Sequence, residues 1–461
     1  MRNNDLFAPE RNLASHIKHL LLAVTAAGSW LVWLSNPASA LPAFAAQTQQ
    51  ACSACHVGGY GPQLTPYGRE FKLEGYTARA GDAFSAPVSA MAIVSYLATA
   101  KDQASPPAPH YGTNNNVTLD EAGLFLAGGY GDHFGSFAQI TYDGVGRSVA
   151  WDNMDLRATD RATLGSHDVL FGVSLNNNPG IQDAWNTMPA WGFPYTGSDL
   201  APGPAAATLI SDPLATNVLG LSAYALWDSH LYTEAGLYWS LGTGMLKTLG
   251  VDPADTSQLS GAAPYFRVAW QEDNGDSNYE IGAFAMFANL YPGRDKSTGT
   301  TDRYSDVGLD ASYQFAGTGE DTITVNARYT HESQNLAGSQ ILGDALGKSL
   351  TLQDLRADVS YYYKNTYGFS VSAFDTWGAS DPLLYASNRT FAPDSAGFNF
   401  QVDVTPWGRD DDTPMGGRFN MRVGLQYTAY TKFDGASSNY DGTGRNASDN
   451  NTVRLFTWVA M

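Results

Sequence analysis

Residues 419–429 read Phe419-Asn420-Met421-Arg422-Val423-Gly424-Leu425-Gln426-Tyr427-Thr428-Ala429. Phe419, Met421, Val423, Leu425 and Tyr427 fall on one face, and Asn420, Arg422, Gly424, Gln426 and Thr428 on the other. A two-residue period is that of a β-strand. Asp306–Phe315 and Phe398–Thr405 alternate in the same way. Sixteen such runs follow one another, near 87–101, 119–130, 134–143, 151–160, 166–177, 215–228, 230–241, 261–272, 277–290, 302–316, 320–336, 349–364, 367–380, 395–408, 416–434 and 448–461. Short links (131–133, 228–229, 273–276, 317–319, 365–366) tend to alternate with long ones (102–118, 178–214, 242–260, 381–394). Asn274-Gly275 is a strong hairpin signal. Trp151, Trp227, Trp239, Trp270, Trp407 and Trp458 lie toward strand ends. A soluble sandwich and a membrane barrel share the alternation. The even count, the turn pattern and the aromatic girdles separate them, and predict an all-β, sixteen-stranded antiparallel outer-membrane β-barrel over 87–461, facing outer-membrane lipid.

The composition agrees. Of 461 residues, 26 are basic and 45 acidic, a formal charge of −19. Charged residues make up 15%, against about a quarter in soluble domains. The acidic balance argues against nucleic acid as a partner. Two cysteines exclude a disulfide-rich scaffold. A mean hydropathy of −0.24 with one long apolar run excludes a polytopic helical membrane protein.

That run, Leu20–Leu34, follows Arg2, Arg11 and Lys18 and precedes Ala38-Ser39-Ala40. It is short for a bilayer span and fits a signal peptide over residues 1–40, cleaved after Ala40, with an uncleaved N-terminal anchor as the alternative. The expected location is the outer membrane of a Gram-negative bacterium.

Both cysteines fall in Cys52-Ser53-Ala54-Cys55-His56. Cys-x-x-Cys-His is the attachment motif for haem c: two thioethers to the vinyl groups and an adjacent proximal histidine. Zinc would need further ligands nearby, and a thioredoxin-type pair a βαβ context. Residues 41–86 therefore read as a cytochrome segment with one covalent haem c. Sixteen strands at ~4.7 Å spacing and ~40° tilt give a radius of roughly 16 Å, enough to take a 46-residue plug of roughly 9–10 Å radius of gyration. A central haem would lie about 12 Å from either side of the apolar band. Within Leu41–Ala86 there is no Met and no His besides His56, so a distal protein ligand comes from elsewhere unless the iron is five-coordinate, water-ligated or held by Lys72. Met91 has lumen parity beside the segment and is the candidate; Met188 and Met286 are alternatives. Arg69 and Lys72 have the charge to pair with haem propionates or to make ordinary salt bridges. His230 shares parity with Glu234 and is expected in the lumen, as are Asp306, Asp310, Asp354 and Asp358 beside Arg356. Those carboxylates either draw cations inward or simply line a solvated lumen. Asp410-Asp411-Asp412 falls in an expected periplasmic turn, as a solvated loop or a docking aid for a basic cytochrome.

Residues 41–77 resemble the fused cytochrome–porin iron oxidases of iron-oxidising bacteria. The matching pieces are Pro42-Ala43-Phe44-Ala45, Gln47-Thr48, Cys52 to His56, Leu64-Thr65-Pro66-Tyr67-Gly68-Arg69, Phe71-Lys72-Leu73 and Gly75-Tyr76. Trp185 to Tyr195 resembles that family's long barrel loop. The chain departs from the pattern at Ala46, at the glycine-rich Val57–Pro62 and at Met461. The resemblance implies one c-type haem with His56 as proximal ligand, inside a sixteen-strand barrel. It further implies an oxidoreductase-like conduit taking electrons from extracellular Fe(II), or another donor, to a periplasmic c-type cytochrome or similar carrier. The competing reading is a small-solute porin with an accessory haem domain. A monohaem peroxidase would need a distal acid–base pair, which the sequence does not offer.

Overall fold

The computed structural model describes residues 42–81, 86–211, 213–317, 319–409, 414 and 419–461. The expected signal peptide, 1–40, and Asp410-Asp411-Asp412 lie outside the described residues. The barrel strands are β1 (Val88–Thr99), β2 (Asn116–Gly129), β3 (Phe134–Asp143), β4 (Ser148–Leu164), β5 (His167–Asn176), β6 (Val218–Trp227), β7 (Leu231–Ser240), β8 (Gln258–Leu259), β9 (Ala263–Asp273), β10 (Ser277–Tyr291), β11 (Asp302–Phe315), β12 (Asp321–Asn335), β13 (Ser349–Tyr363), β14 (Tyr367–Gly378), β15 (Ser395–Val404), β16 (Asn420–Lys432) and β17 (Thr452–Ala460). All pairings are antiparallel, and the wall closes where β17 meets β1, with Ile93 opposite Trp458. β8 and β9 both pair with β10 and form one interrupted stave, so the barrel has sixteen. Each of the sixteen alternating runs becomes one of them.

The two faces are inverted relative to a soluble protein. Outward positions carry Leu309 (63% exposed), Ile281, Phe369, Phe400 and Leu425. Inward positions bury Asp306, Arg328, Thr330, Asp354, Ser360 and Arg422. Closure satisfies the backbone without an edge, which lipid demands. An apolar outside around a polar inside is the pattern of a transmembrane barrel, and this chain is one.

Links 130–133, 165–166, 228–230, 274–276, 316–320 and 364–366 are at one end, together with the start of β1 and the end of β17. Links 100–115, 177–217, 241–262, 336–348, 379–394 and 433–451 are at the other. The short-turn end is the periplasmic one.

Leu309→Arg puts a charge on the lipid face midway along β11. It should destabilise the barrel by about 2–4 kcal/mol, read from urea unfolding in lipid vesicles.

Candidate functional site

Residues 42–81 fill the lumen through three helices, α1 (Pro42–Thr48), α2 (Cys52–Cys55) and α3 (Pro66–Leu73). α3 starts where Thr65 caps it, accepting from Gly68 N, with Pro66 at the first helical position. α2 is one turn, closed by His56 N donating to Cys52 O at 2.8 Å. The chain then returns through a bridge between His56 and Leu64, and Thr65 N donates to Cys55 O at 3.0 Å. Gly68 packs on that turn so closely that a Cβ would lie 2.2 Å from Cys55 O. Gly59, at φ +67°, leaves the same clearance against Gly408 of the wall.

The segment is tied to the barrel on every side. Ala43 N donates to Ser89 Oγ on β1, and Tyr76 OH to Asp155 on β4. Arg69 reaches Asn278 on β10, Gln63 reaches Thr324 on β12, and Asn420 on β16 donates to Gly59 O. Most of these partners lie near the periplasmic ends of their strands. The plug therefore occupies the periplasmic half, not the midplane expected from the sequence. The other half is filled by link 177–217, which folds inward: Ile210 N donates to Asp306, Leu209 N to Glu332 and Thr187 Oγ1 to Asp310.

Between plug, wall and loop lies a cavity of about 340 Å³. Cys52, Cys55 and His56 line it, as do Phe44, Phe71 and Tyr76 of the plug, Met91, Glu121, Phe125 and Trp458 of the wall, and Trp191 and Tyr195 of the loop. Burial pushes the Cys55 thiol up to about 12, with Cys52 adding to the effect, and also raises Cys52. Burial, helped by the Arg422 charge and opposed by the Gly61 backbone, pushes His56 down to about 4. The imidazole is therefore neutral at ordinary pH, with its lone pair free of proton competition. His56 Nδ1 is buried without a hydrogen-bond partner. Among the described residues no group of three or more His, Cys, Asp or Glu is placed to hold a bare metal ion. One neutral imidazole, two thiols on one turn and a thioether in a mainly apolar cavity suit a flat apolar macrocycle.

The other expected residues divide. Met91 faces the cavity, and Trp458 Nε1 donates to its Sδ at 3.4 Å. Lys72 also lines it, but its Nζ donates to Ile181 O (2.8 Å) and Asp183 O (2.7 Å) and lies 4.5 Å from the Trp191 ring. Burial, reinforced by Arg157, pushes Lys72 down to about 7. Lys72 thus binds the loop to the plug. Arg69 is turned into the wall toward Asn278, away from the cavity lining. Met286 and Met188 are buried in a separate cluster with Tyr238 and Tyr265. His230 is not in the lumen; its ring stacks on the outward Trp270 at 5.4 Å, because it sits in a turn where strand parity no longer applies. Asp306, Asp310, Asp354 and Asp358 do have lumen parity. They hold the loop and the wall together rather than facing an open pore: Arg267 pairs with Asp310, and Arg328 with Asp354.

Two features escaped the sequence. A bulge opposite Ile93–Val94 breaks the alternation of β2, so Asp120 pairs with Arg454 at 2.6 Å while Glu121 lines the cavity. Arg157, wholly buried, donates to Asp155 (2.8 Å), Lys72 O (3.0 Å) and Gln182 O (2.9 Å), joining wall, plug and loop. Lumen parity could have pointed to Arg157, but the bulge hides Glu121 from it.

Fold and site together define an outer-membrane β-barrel with a lumen-filling N-terminal segment. No family model matches the chain, and no curated protein does. Among solved structures it is similar to the outer-membrane channel DcaP of Acinetobacter baumannii (13% identity, covering 84% of this chain and 99% of that one, TM-score 0.46). It is also similar to OmpT of Vibrio cholerae (10%, 82% and 98%, 0.41) and to the anion-selective porin from Comamonas acidovorans (12%, 81% and 98%, 0.42). Likeness at this level carries nothing about ligand or activity. The membrane assignment rests on the inverted faces and turn pattern of the barrel itself.

In protein made without haem, Cys55 should react with iodoacetamide at pH 8 roughly a thousandfold more slowly than an unperturbed thiol. Gly68→Ala, by forcing α3 off the turn, should restore much of that rate. Peptide mass mapping of the alkylated cysteine reads both.

Proposed function

We propose that the chain is a single-haem electron conduit of the outer membrane. Carrying this reading is the meeting of Cys52, Cys55, His56 and Met91 on one cavity inside a filled lumen. Cys52 and Cys55 would tether a haem c, and His56 and Met91 would hold its iron. When bound, the haem supplies one-electron iron chemistry, and the protein's part is to hold and tune it. Neutral His56 keeps its nitrogen available. Trp458 Nε1 orients the Met91 thioether. Aromatic walls exclude water, which favours electron transfer over side reactions. The resemblance of 41–77 and 185–195 to cytochrome–porin iron oxidases supports extracellular Fe(II) as donor and a periplasmic c-type cytochrome or similar carrier as acceptor. The porin alternative needs an open bore, whereas here plug and inward loop are bonded to the wall and to each other through Asn186, which bridges Pro62 O and Leu64 N.

Anaerobic Fe(II) added to purified protein should bring up the reduced haem α-band, one haem per chain by mass. Cys52→Ala should cut covalent haem severalfold. Met91→Leu should retain the haem but lower its potential, since a thioether ligand favours the reduced iron. A haem-free barrel with large ion conductance would overturn the proposal.

A further inference from the structure

The periplasmic end of the plug presents one face of α3 to solvent. Tyr67 is 40% exposed. Beneath it lies the motif turn: Gly68 is packed on Cys55 O, and Thr65 N bonds the same oxygen. This places an exposed aromatic side chain beside the turn that carries Cys55, at the end of the barrel where the turns are short.

The charge around this ring is one-sided. Arg161 of β4 is shared by Glu70 (3.1 Å) and Glu74 (2.6 Å) of the α3 region and by Asp168 of β5 (3.2 Å). One cation among three carboxylates leaves a net negative patch. Asp160, next in the chain to Arg161, is 58% exposed. Farther round the same end Asp132, Asp228, Asp273 and Asp276 are exposed on turns. Arg79, Arg161 and Arg409 are the exposed arginines there among the described residues, and Lys364 is partly exposed beside Glu320.

We propose that this face docks a soluble, basic, lysine-rich electron-carrier protein, with Tyr67 at the contact. The inference rests on the conduit reading and names its partner surface. Charge decides the occupant. A second copy of this chain would bring acid against acid, and anionic lipid would be repelled, whereas a ring of lysines around an exposed cofactor edge complements the patch. Such pairs associate fast and weakly, steered by fields that salt screens. The apolar ring at the centre and the acidic surround give the usual core and rim of a transient interface. A partner seated there meets the plug beside the turn that carries Cys55.

The test uses the full chain in nanodiscs, immobilised for surface plasmon resonance. The basic probe is a lysine-rich mitochondrial cytochrome c; an acidic flavodoxin is the control. Cytochrome c should bind, and raising salt from about 20 to about 200 mM should weaken it at least about tenfold. Glu70→Gln with Asp168→Asn should weaken it by about tenfold at low salt. A second pair, Asp132→Asn with Asp160→Asn, should act in the same direction without removing an ion-pair partner of the Arg161 guanidinium. Asp344→Asn, at the opposite end of the barrel, should change nothing. Equal binding to both charge-neutralised pairs, or equal binding of flavodoxin, overturns the docking proposal. Haem content is read separately by absorbance. Haem present with no binding overturns the docking surface alone; binding without haem overturns the conduit reading and leaves the docking surface standing.

Discussion

Wall, plug and loop meet at Arg157. Its guanidinium is wholly buried and makes an ion pair with Asp155, itself bonded to Tyr76 OH and Ser174 Oγ. Its remaining donors close on the carbonyls of Lys72 and Gln182. A buried charge of this kind is tolerated only when all its donors are met and its partner is present. Asp155 and the two carbonyls come from three separate parts of the chain. The arginine therefore sets a condition: the lumen is correctly filled or it contains an unpaired ion. Losing one partner leaves the other charge stranded, at about 3–5 kcal/mol. Arg422, paired with Asp403 and donating to Gly58 O, follows the same logic, whereas Arg267 meets Asp183, Glu280 and Asp310 through Nη2 alone. Lipid fixes the outside of the barrel by excluding polar atoms, and these arginines fix the inside by demanding specific ones.

That condition explains how a one-turn helix can hold a site. α2 has four residues and no side-chain cap, too little to persist alone. Its geometry is imposed by neighbours: Gly68 against Cys55, Gly59 against Gly408, and Gln47 joining α1 to Tyr76 O, Ala78 O and Gly129 N. The cavity is thus a gap between three rigid bodies rather than a pocket within one. Its chemistry follows from that construction. The plug contributes the thiols and the imidazole, β1 the thioether, and the loop the indole of Trp191 that closes the top.

The strands were legible because membrane barrels write their two environments directly into alternate residues. Phe398, Phe400 and Val402 face lipid and Asn399, Gln401 and Asp403 the lumen, as their spacing requires. Cys52, Cys55 and His56 were legible as a motif, and Met91 by parity alone. Where parity fails, so did the reading: His230 lies in a turn, and Glu121 lies beside a bulge. Arg69 and Lys72 could not be apportioned, because a short helix buried on several sides gives no periodic clue to which neighbour each side chain meets. The depth of the site was hidden for a similar reason. It depends on which strand ends the plug touches, and several of those contacts join residues more than two hundred positions apart, such as Gln63 with Thr324.

Depth has a functional consequence. A site in the periplasmic half stands close to any carrier in the periplasm and far from the outer surface. For the proposed conduit the slow span is then the extracellular one, through the layer formed by link 177–217. That layer is not open water. It is packed with Leu200, Leu209, Ile210 and Leu214 and braced on the wall by Thr196, whose carbonyl and hydroxyl both take Arg454. A donor ion that stayed outside would be separated from the cavity by this whole layer; one that entered would have to loosen the loop. Lys72 holds the carbonyls of Ile181 and Asp183 against such loosening. The side chain that looked from sequence like a propionate partner thus sets how firmly the roof of the cavity is held, and with it, in the proposed conduit, the donor's access to the haem.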